Sequence, residues 1–136
     1  MYAAVKALIE KDGNILMVKV DTGDFKIWVP PGGRISYGES PIEALKREVE
    51  GETSLDIVPG DPLDMYHFFI GSGNDGDQVT LTVFEVESYA REVDIDTEHG
   101  KEDGIVDYDW FRPEEILELE ASEGFKDIIR DKILKQ

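Results

Sequence analysis

Residues 32–55 read GGRISYGESPIEALKREVEGETSL, and this stretch decides how the chain folds. Its middle carries three helix-start signals. Ser40 stands at the N-cap, Pro41 follows at the first helical position where a missing N–H is harmless, and Glu43 completes a capping box three residues after the serine. Ile42, Leu45 and Val49 then recur at helical spacing and are expected to bury one stripe, leaving Arg47, Glu48, Glu50 and Glu52 around the rest of the circumference. Just upstream, Pro30-Pro31-Gly32-Gly33 lacks two backbone donors and carries two residues free to take unusual dihedrals, so irregular, bent chain is expected there. The helix has two ways to end. If it runs through Gly51, Glu48 and Glu52 lie one turn apart on one face; if Gly51 is a left-handed cap, Glu52 falls outside the helix.

Working outward, the apolar runs Tyr2 to Ile9 and Ile15 to Val20 flank the turn signal Lys11-Asp12-Gly13-Asn14 and read as a hairpin. A second turn at Asp21 to Asp24 leads to a short extended piece, Phe25 to Val29. Downstream, Leu55 to Val58 is strand-like, Pro59-Gly60-Asp61-Pro62 reads as a turn, and Met65 to Ile70 is expected to pair with Gln78 to Val86 around a Gly-rich loop at 71–76. Ile105 to Phe111 is a later strand. Pro113 opens a helix with Ile116, Leu117 and Leu119 on its apolar side, and Phe125, Ile128, Ile129 and Ile133 serve a last helix after Ser122. With 136 residues, 40% of them hydrophobic, and no repeat or linker, the expectation is one domain, 1–136, with one core.

Charge narrows the function classes. Thirty-one Asp and Glu oppose 14 Lys and Arg, a formal net charge of −17. Polymeric nucleic acid and anionic membranes are bound by clustered cations, and no such cluster occurs. A small anionic substrate can still be accommodated where bound divalent cations offset the field locally. High-salt adaptation would also raise acidity, although nine lysines remain. The absence of cysteine excludes disulfides, thiolate zinc and a cysteine nucleophile. The N-terminus lacks a signal-peptide pattern and no apolar run is long enough to span a bilayer, so a cytoplasmic location is expected.

The quoted stretch resembles the motif of the Nudix hydrolase family. In that motif Gly is followed after five residues by Glu, after seven more by Arg-Glu and an aliphatic, then any residue, Glu-Glu, any residue, Gly and an aliphatic. Gly33, Glu39, Arg47, Glu48, Val49, Glu52 and Leu55 stand at those places, seven of nine fixed positions. The two departures are Gly51, where the first paired Glu belongs, and Ser54, where the later Gly belongs. Trp28-Val29-Pro30-Pro31-Gly32 is similar to the family's usual lead-in.

The resemblance implies an α/β fold, an α/β/α sandwich with a mixed β-sheet flanked by helices. It also implies a MutT-like, metal-dependent hydrolase that cleaves the pyrophosphate bond of a nucleoside triphosphate, sugar nucleotide or similar nucleoside diphosphate derivative. Glu48 and Glu52 would be metal ligands and catalytic carboxylates, with the Gly32 carbonyl as a further ligand, and oxygen donors suit Mg2+ or Mn2+. A further catalytic carboxylate is expected from the segment Asp96 to Asp103, with Glu102 as the choice. Arg47 is read as an orienter paired with Glu39 or Glu43, and Gly33, Glu39 and Arg47 as structural parts of the motif. Glu43 and Glu50 are left as surface. Lys19 and Arg34 are candidates for substrate phosphates, and Trp28 for the base. His67 and His99 show no paired ligand spacing and are not taken as ligands. A small nucleotide substrate is the expected partner, and a homodimer is allowed. The missing carboxylate at Gly51 motivates an alternative, a catalytically degenerate domain that binds a nucleotide or partner without turnover.

Overall fold

The computed structural model describes residues 2–70 and 77–135. Strand β1 (Tyr2–Leu8) lies in the middle of a mixed sheet. It pairs antiparallel with β5 (Gly32–Arg34) and parallel with β7 (Asp77–Ala90), and β7 pairs antiparallel with the edge strand β6 (Asp56–Ile70). A second, antiparallel sheet is built on β3 (Asn14–Asp21), which pairs with β2 (Glu10–Lys11), β4 (Lys26–Val29) and β8 (Ile105–Phe111). Helix α1 (Pro41–Thr53) packs on one side of this β layer; α3 (Pro113–Ile116) and α4 (Glu123–Ile128) pack on the other. Residues 129–134 continue α4 with the wider turns of a π-helix. Between β7 and β8 lies α2 (Glu98–Glu102), where the sequence reads as loop.

Alternation along β1 feeds both halves of the core. Ala4 and Leu8 join Met17, Leu81, Val83 and Phe125 on the side of α3 and α4; Val5, Ala7 and Ile9 join Leu45, Val49 and Leu55 beneath α1. Full burial of a Leu, Val or Phe side chain stabilises by about 1.5–3 kcal/mol, so the cluster beneath α1 fixes where that helix sits and the other fixes α3 and α4.

Several elements depart from the pattern read in the sequence. The hairpin exists, with Asp12 and Gly13 both at positive φ (52° and 82°), but its first arm is β2, not β1; the chain changes sheet at Ile9. Gly32 and Gly33 are strand, not irregular chain. Pro59 and Pro62 do not turn the chain back. They lie inside the long strand β6, where the register slips past each of them, and an edge strand tolerates the missing N–H groups as bulges. The pairing of β6 with β7 is as expected, and residues 71–76, read in the sequence as a Gly-rich loop, lie outside the described residues. Ile42 is exposed. The buried stripe of α1 is Ala44, Leu45, Glu48, Val49, Glu52 and Thr53, so two glutamates of the motif lie on the core side of the helix.

Candidate metal and active site

The site forms where the C-terminal half of α1 meets β5 and α2. The helix begins as its sequence dictates, with Ser40 Oγ accepting from the Glu43 amide (3.1 Å) and the Glu43 carboxylate accepting from the Ser40 amide (3.3 Å). It runs through Gly51 to Thr53, so Glu48 and Glu52 do share a face, and it ends at Ser54 with φ 68°. That left-handed cap is the conformation for which glycine is favoured, the physical reason for a glycine at this place in the motif. Here Ser54 holds it, its amide donating to Glu50 O (2.9 Å) and its hydroxyl to Asp94 O (2.9 Å).

The two glycines before the helix are there for proximity. Gly32 has φ 147°, and a Cβ on it would run into the Val5 carbonyl of β1 and sit 2.8 Å from Lys6 Cα. A Cβ on Gly33 would lie 2.5 Å from the carboxyl carbon of Glu48. The Gly32 amide donates to Glu52 Oε1 (2.9 Å), so the lead-in strand grips the helix through one of its buried carboxylates.

Arg47 ties the N-terminal half together. Its Nε and Nη2 donate to Glu39 (2.7 and 2.9 Å), its Nη2 also to the Arg34 carbonyl (3.1 Å), and its Nη1 to Glu48 Oε1 (2.8 Å). Glu39, not Glu43, is therefore the partner of the guanidinium. That fork, reinforced by the Ser36 amide (3.0 Å), lowers the Glu39 carboxyl to about 2.

Glu52 is shifted the opposite way. Burial raises its pKa to about 8; Lys6 and the Gly32 amide oppose the shift, and Asp103 adds to it. Lys6, half-buried on β1, has its own pKa lowered by burial, against the pull of Glu52, Glu48 and Asp103. The helix macrodipole is also negative at this end, and no basic residue stands in the last turn.

Helix α2 completes the cluster. Glu48, Glu52, His99 and Asp103 each offer a ligand atom, and these atoms all lie within 4.8 Å of one another. Carboxylate and imidazole donors in this number suit a divalent cation, and buried like charges at the negative end of a helix are stabilised by one. The residues thus fit the group that the motif implies. Asp103 closes the segment from which the sequence leads one to expect a carboxylate, whereas His99 escapes sequence reasoning although it stands four residues before Asp103, a spacing that puts both on one face of a helix turn. Lys6 left no sequence signal, being one cation in an otherwise apolar strand.

Glu102 is exposed and stands outside the cluster; the next residue, Asp103, occupies that place. Lys19 and Trp28 face each other across β3 and β4, with Nζ 5.7 Å from the ring centroid, and Trp28 also meets the edge of Phe111 at 4.9 Å. Arg34 lies over the Tyr2 ring at 3.4 Å. Glu43 belongs to the cap, Glu50 pairs with Arg91 on the surface (3.5 Å), and His67 stacks edge-on to Phe69, away from the cluster. Among the described residues no helix is long and apolar enough to cross a membrane.

Comparison with known proteins agrees with this geometry. The NUDIX domain family model matches residues 2–132. A nucleoside triphosphatase of Escherichia coli, NudI, is 31% identical over 134 residues, covering 90% of each chain. An ADP-ribose pyrophosphatase of Methanocaldococcus jannaschii is 43% identical over 53 residues, 38% of this chain, which spans only 31% of that relative's length. The crystal structure of a MutT protein from Methanosarcina mazei superposes with a TM-score of 0.81 at 25% identity, covering 99% of this chain and 96% of the other. The chain belongs to the Nudix hydrolase family.

Proposed function

We propose that this protein is a divalent-metal-dependent pyrophosphohydrolase that cleaves the phosphoanhydride of a nucleoside diphosphate derivative, with a nucleoside triphosphate, ADP-ribose or a sugar nucleotide as the substrate class. The observation that carries the reading is the cluster of Glu48, Glu52, His99 and Asp103 on the buried side of the motif helix. Relatives described as a nucleoside triphosphatase and an ADP-ribose pyrophosphatase support the same bond type.

Mg2+ or Mn2+, held by Glu48 and Glu52 and by the Gly32 carbonyl that the motif implies, would neutralise the diphosphate and make the attacking water more acidic. The protein's own groups do the rest. Both oxygens of Glu48 are engaged, Oε1 by Arg47 and Oε2 by His99 Nε2 (2.7 Å). Asp103, with a side chain 43% exposed, is the cluster carboxylate open to solvent, and we assign it the role of general base in place of Glu102. Water oxygen bonds to phosphorus, the bridging P–O bond breaks toward the leaving phosphate group, and the water proton passes to Asp103. Lys19 and Trp28 offer a cation and an aromatic face to the substrate, and we assign them to phosphate and base; Arg34, which is exposed over Tyr2, is a second phosphate contact. The non-catalytic alternative loses its motivation, because the space opened at Gly51 is filled by His99.

The test is a panel of nucleoside triphosphates, ADP-ribose and sugar nucleotides with Mg2+ or Mn2+. Turnover of at least one compound, abolished by Glu52→Gln, is expected; nucleotide binding without turnover anywhere in the panel overturns the reading. A cytoplasmic location accords with the cysteine-free composition, and sedimentation decides whether the protein is a homodimer.

A further inference from the structure

Gly51 and His99 fit each other in a way the motif does not anticipate. A Cβ on Gly51 would fall 2.6 Å from the Cγ and 2.8 Å from the Cε1 of the His99 ring, closer than real side chains pack. The imidazole therefore lies against bare helix backbone, in the room that any other residue at 51 would take. Its Nε2 points into the cluster, 2.7 Å from Glu48 Oε2 and 3.1 Å from Asp103 Oδ2.

The ring is held there by a set of contacts that dock α2 on the end of α1. Thr97 Oγ1 donates to Gly51 O (2.6 Å) and accepts from the Gly100 amide (2.8 Å), so one side chain both caps α2 and captures a carbonyl of α1. The Asp94 amide donates to Thr53 O (2.9 Å). Gly100 is a second point of close approach, since a Cβ there would lie 3.1 Å from Ile95 O and 3.6 Å from Glu52 O.

We propose that His99 takes the coordination place of the glutamate missing at position 51, making this a mixed imidazole–carboxylate site that prefers transition-metal cations such as Mn2+ or Co2+ over Mg2+. This rests on the metal-dependent reading above and sharpens it. In an octahedral shell with bonds of about 2.1 Å, neighbouring donors are about 3 Å apart and opposite ones about 4.2 Å, so donors within 4.8 Å of one another close on an ion with small movements. Exchanging a carboxylate for an imidazole removes one negative charge and one hard oxygen. Mg2+ loses most by that exchange, whereas Co2+ and Zn2+ accept nitrogen readily and Mn2+, the weakest binder of the first-row series, still exceeds Mg2+ in accepting it.

The experiment is pulsed EPR on the full chain loaded with Mn2+, alongside calorimetric affinities for Mn2+, Co2+ and Mg2+. The expected result is a directly bound imidazole nitrogen, with Mn2+ and Co2+ held at least tenfold tighter than Mg2+. His99→Asn should remove the nitrogen signal and weaken Mn2+ and Co2+ by about tenfold or more, with a smaller change for Mg2+. Gly51→Ala, with the histidine still present, should also remove the signal because the added methyl displaces the ring; circular dichroism verifies that both variants are folded. Gly51→Glu combined with His99→Ala should shift the preference back toward Mg2+. Bound Mn2+ without a nitrogen signal in the parent overturns the proposal and leaves the hydrolase reading standing. A parent that binds none of the three cations overturns both.

Discussion

The two halves of α1 handle charge in opposite ways. At the N-terminal half, Glu43 and Arg47, with Glu39 just before the helix, are each matched by a donor or acceptor that offsets their desolvation. At the C-terminal half, Glu48 and Glu52 are buried with Asp103 close by, at the negative end of the helix, with Lys6 and His99 as the nearby cation and ring. The first half is built for the fold. The second carries unfavourable electrostatics that a bound cation would relieve, and sites poised this way trade stability for function.

The largest expected effect that would break this comparison is that of Glu52→Gln. Turnover should fall by at least about 10²-fold, the scale on which removing one preorganised electrostatic group acts. The same change should raise the melting temperature of the metal-free protein at pH 8, since it deletes a buried charge; a lower melting temperature there would contradict the contrast. Next comes pH. Glu52, with a pKa raised from 4.5 to about 8, holds a proton in the folded state that the unfolded state has released. Stability of the EDTA-treated protein should therefore decline as pH rises from 4.5 toward 8, by at most about 1.4 kcal/mol per pH unit, and Glu52→Gln should flatten that slope in denaturant titrations. Glu39 gives the opposite sign: its pKa of about 2 stabilises the fold above 4.5, and that contribution is lost as pH falls from 4.5 toward 2.

A smaller effect is expected from Arg47→Ala. It frees Glu39 and one oxygen of Glu48, so kcat should drop about tenfold, within the range seen when a group that orients a ligand is lost, while cation binding persists. Loss of cation binding to the same degree as in Glu52→Gln would erase the distinction between the halves. Smallest is Ser40→Ala, which should cost about 1 kcal/mol in urea unfolding and leave kcat unchanged, because it touches only the helix cap.

Legibility in the sequence follows the same division. Local signals were reliable: the capped start of α1, the Asp12-Gly13 turn, strand β8 and the pairing of β6 with β7 rest on interactions within a few residues or on simple alternation. Ile42 was misread because periodicity alone cannot say which of two apolar-bordered faces meets the core, and the true buried face includes Glu48 and Glu52. Glu102 was a near miss for Asp103, as the choice between adjacent carboxylates depends on how α2 is rotated. His99 shows no paired ligand spacing in the sequence, since its partner Glu48 is 51 residues away in the chain.

By itself, then, the sequence determined the start of the helix, its capping box and the motif spacing of Glu48 and Glu52, since those signals lie within a few turns of chain. Only the tertiary structure decided that Gly51 opens a space instead of ending the helix, that His99 and Asp103 enter it, and that Lys6 stands near the carboxylates. Those outcomes depend on the docking of α2 and β1 against α1, and side-chain meetings of that kind are set by packing between distant segments, which no local pattern records.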